Sequence, residues 1–167
     1  IGGNIATNAG GLCCVKYGVT TDYVLGLQVV LADGTAVRLG GPRLKDVAGL
    51  PLTKLFVGSE GTLGIITEAT LRLIPAQGAP NIAVAFFASV DDATAAVSAL
   101  TARIRPSLLE FMDGVSIRAV EAVTRMGLDT EAEAMLLVGS DTPGDAGLAE
   151  LAIVEEVLTA HGAGDVF

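Results

Sequence analysis

The sequence predicts an α+β fold in two parts, and three observations predict it. Two apolar runs flank Asp33-Gly34, a dipeptide that marks a tight hairpin. From Ile65 to Ile74 apolar and polar residues alternate with the period of a half-buried strand. Beyond a short linker at Pro75–Pro80, strand-like runs alternate with capped helical stripes. The order suggests a β-rich segment over residues 1–75. A ferredoxin-like α+β layer follows over 76–167 and stops before its sheet is complete.

In the first half, Tyr23 to Leu31 reads as a strand, followed by the turn and a second strand at Ala36–Leu39. Residues 40–53 hold Pro42 and Pro51 and are expected to be loop with at most one helical turn. In the alternating strand, Ile65, Thr67, Ala69, Leu71 and Leu73 share one face, and Pro75 ends the ladder.

In the second half, Ile82–Ala88 is a strand, and Ser89 with Asp92 forms a capping box. The helix it opens carries Ala93, Val97, Leu100 and Ile104 on one face. Leu108–Met112 is a short strand. Ala119, Val120, Val123 and Met126 make the next stripe, with Glu121 and Arg125 paired one turn apart. Ala134–Val138 is a strand. Thr142 is read as a cap, with Pro143 in the first turn and Asp145 at the positive end of the helix dipole. Leu148, Leu151, Val154 and Leu158 form its stripe, and Val166-Phe167 opens a last strand.

At 167 residues the chain suffices for one domain or two small halves, and 51% hydrophobic residues exclude a disordered chain. Residues 1–75 carry six Lys/Arg against five Asp/Glu, whereas 76–167 carry four against fourteen, for a net charge of −9. So acidic a surface repels phosphate backbones, so nucleic acid is not an expected partner. No apolar run is long enough to span a bilayer, and no signal segment opens the chain. Cys13 and Cys14 are neighbours, which disfavours an ordinary disulfide and points to a reducing cytoplasm. The chain opens on Ile1 inside a loop, as a piece of a longer protein would.

Two glycine-rich runs stand out. Gly58-Ser59-Glu60-Gly61-Thr62-Leu63-Gly64 leads into the alternating strand, and glycines there let backbone amides approach a ligand closely. It is not a dinucleotide fingerprint, since a strand follows it where that motif needs a helix. The run at 1–11 has four glycines, two asparagines and a threonine. Its composition argues against helix or strand and for a winding loop. Two such loops in one short chain suggest a flat polar ligand. Glu60 could orient amides, accept a hydrogen bond from the ligand, or be a plain turn residue. His161, the one histidine, falls at a helix C-terminus with no nucleophile nearby, so no catalytic triad is available. Glu110 and Asp113 read as capping and surface acids.

The runs "IGGNIATNAGG", "KYGVTTDYVLGLQVVLADG", "KDVAGLPLTKLFVGSEGTLGIITEATLRLIP" and "LLEFMD" resemble the FAD-linked oxidases of the vanillyl-alcohol-oxidase (PCMH) type. Within that family they are most similar to the D-2-hydroxyacid dehydrogenases. The resemblance implies the C-terminal part of a PCMH-type FAD-binding domain, then part of a cap domain. It implies FAD contacts at Gly2, Gly3, Asn4, Thr7, Asn8, Gly10, Gly18, Glu60, Gly61, Thr62, Gly64, Ile65 and Ile66. The activity implied is oxidation of a D-2-hydroxy acid such as lactate, glycolate or 2-hydroxyglutarate to the 2-oxo acid. No catalytic or metal-binding residue is expected in this stretch. Expected partners are the hydroxy acid, an electron acceptor the sequence does not name, and a second copy of the chain. The rival reading is a non-catalytic ligand-binding α+β module.

Overall fold

The structure is a computed structural model that describes all of residues 1–167. The chain divides into two compact units, residues 1–11 with 18–76 and residues 12–17 with 77–167.

In the first unit, β1 (Val24–Val30), β2 (Ala36–Gly40) and β3 (Ile65–Leu71) form an antiparallel sheet in the order β2-β1-β3. Asp33 Oδ1 accepts the Thr35 N–H at 2.9 Å and Gly34 takes φ +83°, so the hairpin turn forms as its sequence predicts. Val37 and Leu39 lean from β2 onto a core of Ile5, Val24, Leu27, Val29, Phe56 and Val57.

Of the face expected of β3, only Leu71 is turned to the core. Ile65 is 62% exposed, whereas Ile66 and Leu71 pack on the core. The cause is a pair of bulges. Val29 pairs with Ile66 and Gln28 with Glu68, which leaves Thr67 unpaired. Val24 pairs with Leu71 and Gly26 with Thr70, which leaves Leu25 unpaired on the other strand. Each extra residue reverses which parity faces inward.

Glycine-rich residues 1–11 are also not a winding loop. They open with a helix, α1 (Gly2–Thr7). Ile5, 2% exposed, anchors it in the core, and the Thr7 hydroxyl donates to the Gly3 carbonyl at 3.0 Å. Asn8, left-handed at φ 50°, ends it. Tertiary burial here outweighs weak intrinsic propensity, as short helices require. A second short helix, α3 (Leu52–Phe56), starts after Pro51 and buries Phe56.

In the second unit the elements are α2 (Cys14–Tyr17), β4 (Asn81–Phe87), α4 (Val90–Thr101), β5 (Leu108–Asp113), α5 (Gly114–Thr124), β6 (Ala134–Ser140), α6 (Gly144–Ala160) and β7 (Ala163–Val166). The four strands run in the order β5-β6-β4-β7, each antiparallel to its neighbours. Ala134, Leu136 and Val138 of β6 join Ala93, Ala96 and Leu100 of α4 and Val154, Val157 and Leu158 of α6 in the main core. Met135 points the other way, toward Ile117 of α5. The Ser89 cap forms as expected, with the Asp92 N–H donating to Ser89 Oγ at 3.1 Å.

Four expectations in this half fail. Helix α5 ends at Thr124 and buries Gly114 and Ile117, while Val123 and Met126 are 83% and 72% exposed. The buried stripe begins one turn earlier than the apolar spacing suggests, because Gly114 lies against the strand side. A Cβ there would sit 2.9 Å from the Ala132 carbonyl oxygen. Glu121 does not pair with Arg125. Arg125 is left-handed at φ 51°, and the Glu121 carboxylate accepts the N–H groups of Met126, Gly127 and Leu128. Thr142 is not a cap either. Pro143 precedes α6, and the hydroxyls of Thr142 and Ser140 donate to Glu150 at 3.0 and 2.5 Å. Leu148 is left 60% exposed, because Gly147 is the residue turned inward.

Candidate cofactor-binding site

The two glycine-rich runs meet in the first unit. At the end of α1, the Ile5 carbonyl accepts the Gly58 N–H at 2.9 Å and the Ala6 carbonyl accepts the Glu60 N–H at 3.0 Å. These carbonyls lie in the last helical turn, where the Asn8 N–H makes only a long 3.4 Å bond to Ile5 and the helix leaves acceptor capacity open. The 58–62 loop supplies those donors and folds on itself, with the Thr62 N–H and hydroxyl both donating to the Ser59 carbonyl at 3.0 and 2.6 Å.

A third segment joins them. The Asn8 side-chain oxygen accepts the Thr21 N–H at 2.9 Å, and the Ala9 carbonyl accepts the Thr20 hydroxyl at 2.8 Å. Asp22 accepts the Val19 N–H at 2.9 Å and closes the turn that holds Gly18. Asn4, Thr7, Asn8, Gly18, Glu60, Gly61 and Thr62 thus belong to one cluster, drawn from three stretches of sequence.

The other candidates divide. Gly2 and Gly3 lie exposed on α1, and Gly10 lies exposed between the Asn8 and Gly18 turns. Gly64 has a packing role, since a Cβ there would lie 2.7 Å from Val29 Cγ1. The Ile66 side chain is core, and Ile65 points outward. Any ligand contact from Ile66 would have to come from its main chain. Two polar residues that residue type alone did not single out also belong to the cluster. Ser59 Oγ is buried without a hydrogen-bond partner, and Thr21 is held by Asn8.

Three features suit a large, flat, polar ligand. Around a Cβ added at Gly2, Gly3 or Gly61 nothing lies within 4 Å, so the backbone faces open space there. Glu60 is exposed and takes the left-handed φ of 50°, which fixes the direction of the flanking amides. An unpartnered buried hydroxyl at Ser59 lies between them, the kind of group that calls for an explanation at a functional site. The residues present therefore fit FAD as a ligand held by main-chain and small polar groups. His161 is elsewhere in function: its Nδ1 lies 2.8 Å from the Val157 carbonyl at the end of α6.

In the second unit, Asp141 just after β6 gathers a second polar group. Its carboxylate accepts the Lys16 ammonium at 2.5 Å and the Tyr17 hydroxyl. The Asp141 hydrogen bond, aided by burial, pushes the Tyr17 hydroxyl up to about 12. Burial raises the Asp141 carboxyl, but the hydrogen bonds from Lys16 and Tyr17 outweigh it and hold that group below the usual carboxylate range. Asp141 carries no sequence signal, since its partners lie far away along the chain.

Sequence similarity places this architecture in a known class. The family described as FAD linked oxidases, C-terminal domain, matches residues 77–167, and the FAD binding domain family matches residues 1–40. The chain belongs to the FAD-linked oxidases, whose cofactor is FAD. Among its relatives is the glycolate oxidase subunit GlcD of Bacillus subtilis, 50% identical over 144 residues, which are 86% of this chain and 31% of that protein. A D-lactate dehydrogenase of Archaeoglobus fulgidus is 41% identical over 139 residues, 83% of this chain and 31% of that protein. The chain thus spans about a third of the length of these relatives. An alkyldihydroxyacetonephosphate synthase shares the fold, with a TM-score of 0.78 at 22% identity over 98% of this chain and 32% of its own.

Proposed function

We propose that this chain is part of an FAD-dependent dehydrogenase that oxidises a small D-2-hydroxy acid, of the lactate, glycolate or 2-hydroxyglutarate kind, to its 2-oxo acid. Bound FAD supplies the two-electron acceptor for the hydrogen leaving the α-carbon. The first unit is read as the C-terminal part of the PCMH-type FAD-binding domain, and the second as ferredoxin-like sheet of the cap. A cytoplasmic location belongs to the same reading.

The observation that carries this reading is the joining of the 1–9 and 58–62 runs through Ile5–Gly58 and Ala6–Glu60, in a chain of this family. Residues Gly2, Gly3, Asn4, Thr7, Asn8, Gly10, Gly18, Glu60, Gly61, Thr62, Gly64, Ile65 and Ile66 are the proposed FAD contacts. Their exposed glycine backbone admits the ligand at close range, and the fixed turns orient amide dipoles toward it before it binds. Preorganised dipoles of this kind need no rearrangement when charge arrives.

The test is to purify the full-length protein, read its visible flavin absorbance, and follow dye reduction with glycolate, D-lactate and D-2-hydroxyglutarate against the L-enantiomers. A yellow protein that reduces the dye with D-acids is expected. A protein that binds no FAD, or prefers L-acids, would overturn the reading.

A further inference from the structure

Residues 12–17 are grouped with the second unit, while the chain before Leu12 and after Tyr17 is grouped with the first. This six-residue strap is pinned at several points. Asp141, with its side chain 6% exposed, takes both the Lys16 ammonium and the Tyr17 hydroxyl. Arg105 donates to the Lys16 carbonyl at 2.7 Å, and the Lys16 ammonium lies 5.8 Å from the centre of the Tyr17 ring. Inside the strap the Lys16 and Tyr17 N–H groups both donate to the Cys13 carbonyl, closing α2.

The ends of the strap are also ends of the candidate cofactor cluster. Gly10 stands two residues before Leu12, and Gly18 follows Tyr17 directly. Gly18 is held at φ +79° against Asp22, whose carboxylate lies where a Cβ would be. A segment with a fixed turn at one end has little slack to absorb movement at the other. A nearly buried carboxylate holding a cation is costly to break one-sidedly, since the charge that remains loses its partner.

We propose that Asp141 is a positioning residue for the cofactor loops, acting on residues 10–18 through its hold on Lys16 and Tyr17. The proposal rests on the reading of the first-unit cluster as an FAD site. Asp141 touches neither flavin nor substrate in this scheme. It sets the path of the chain between Gly10 and Gly18, so the loss of its charge loosens FAD binding from within the other unit.

The experiment uses the full-length protein with Asp141→Asn, Tyr17→Phe and Lys16→Met, and Arg103→Gln as a control. The control removes the exposed Arg103–Glu156 pair of the same unit. The readouts are the FAD dissociation constant, by flavin fluorescence well below the unfolding temperature, and amide exchange in peptides covering 8–22. Asp141→Asn is expected to raise the dissociation constant about tenfold, within the usual range of site-to-site coupling, and to speed exchange over 10–18. Lys16→Met and Asp141→Asn combined should cost less than the sum of the two, and Arg103→Gln should leave both readouts unchanged. If Asp141→Asn does not fold, Tyr17→Phe carries the test with the same signs. Wild-type affinity in all variants, or an equal loss in Arg103→Gln, would overturn the positioning role and leave the FAD site standing. A wild-type protein that binds no FAD would overturn both.

Discussion

The main-chain N–H of Glu60 donates to the Ala6 carbonyl at 3.0 Å, and Glu60 itself stands at φ 50°. One hydrogen bond therefore ties the last turn of a glycine-rich helix to the middle of a glycine-rich loop. It also fixes the loop in a conformation that residues with a Cβ rarely adopt. The candidate site is made of this kind of main-chain bond far more than of charged side chains.

Gly61→Val should reduce flavin content while Gly34→Val should not. Both glycines have positive φ, +80° and +83°, and open space where a Cβ would be, so the two substitutions impose similar backbone strain of about 1–2 kcal/mol. Only Gly61 lies in the candidate site. The ratio of bound flavin to protein at matched folded fraction checks this, and equal loading of the two variants would refute the placement of the loop.

Gly147→Ala should destabilise the protein even though alanine favours helix by about 1 kcal/mol over glycine. The new Cβ would stand 2.0 Å from the Thr142 carbonyl oxygen, so α6 or the 140–143 turn must shift. Overpacking of this kind costs about 1–3 kcal/mol and outweighs the propensity gain. Urea midpoints at constant slope would show it.

Ile117→Ala should cost about 2–5 kcal/mol, because Ile117 is fully buried on the inward face of α5. Val123→Ala, further along the same helix and 83% exposed, should change stability by no more than about 0.5 kcal/mol. Comparable losses at the two positions would mean that the inward face of α5 is misassigned.

Glu121→Gln should flatten the acid limb of the stability profile. The Leu128 N–H, followed by those of Gly127 and Met126, holds the Glu121 carboxyl below its ordinary value of 4.5. A carboxylate favoured in the fold contributes stability above its unfolded pKa and loses it as pH falls through the lower, folded one. Melting temperature is therefore expected to fall in the wild type as pH drops below about 4.5, the ordinary value. The glutamine variant should melt lower at neutral pH and show a shallower acid decline, in a titration by thermal melts from neutral to acid.

Local signals carried most of the second unit. Strands β4, β5 and β6 and the Ser89 cap follow from residue periods and capping chemistry within a few positions. Glu121 and Thr142 find other partners within a few residues, whereas the remaining failures involve partners distant in sequence. Composition at 1–11 argues against a helix because it contains no record of the core that receives Ile5. The α5 stripe cannot be phased without knowing that Gly114 lies beside Ala132. The glycine runs are visible as a site, but their bonds to each other, Gly58 to Ile5 and Glu60 to Ala6, and the hold of Asp141 on Lys16 are long-range facts. The FAD reading came from the order of several motifs together, more specific than any single glycine spacing.

The unpaired Thr67 in β3 has a consequence for how the site loop is connected. Ile66 and Leu71 both reach the core although they stand an odd number of residues apart. An unbulged strand would require an even number. The strand works as a half-turn coupling between the loop ending at Gly64 and the chain leaving at Arg72. Removing one residue from it would rotate one end relative to the other by half a turn. Either the core would lose Leu71 or the glycine loop would lose its anchor at Ile66. Length changes in this segment are therefore tolerable only in matched pairs, one in β3 and one opposite in β1, where Leu25 already provides the compensating step.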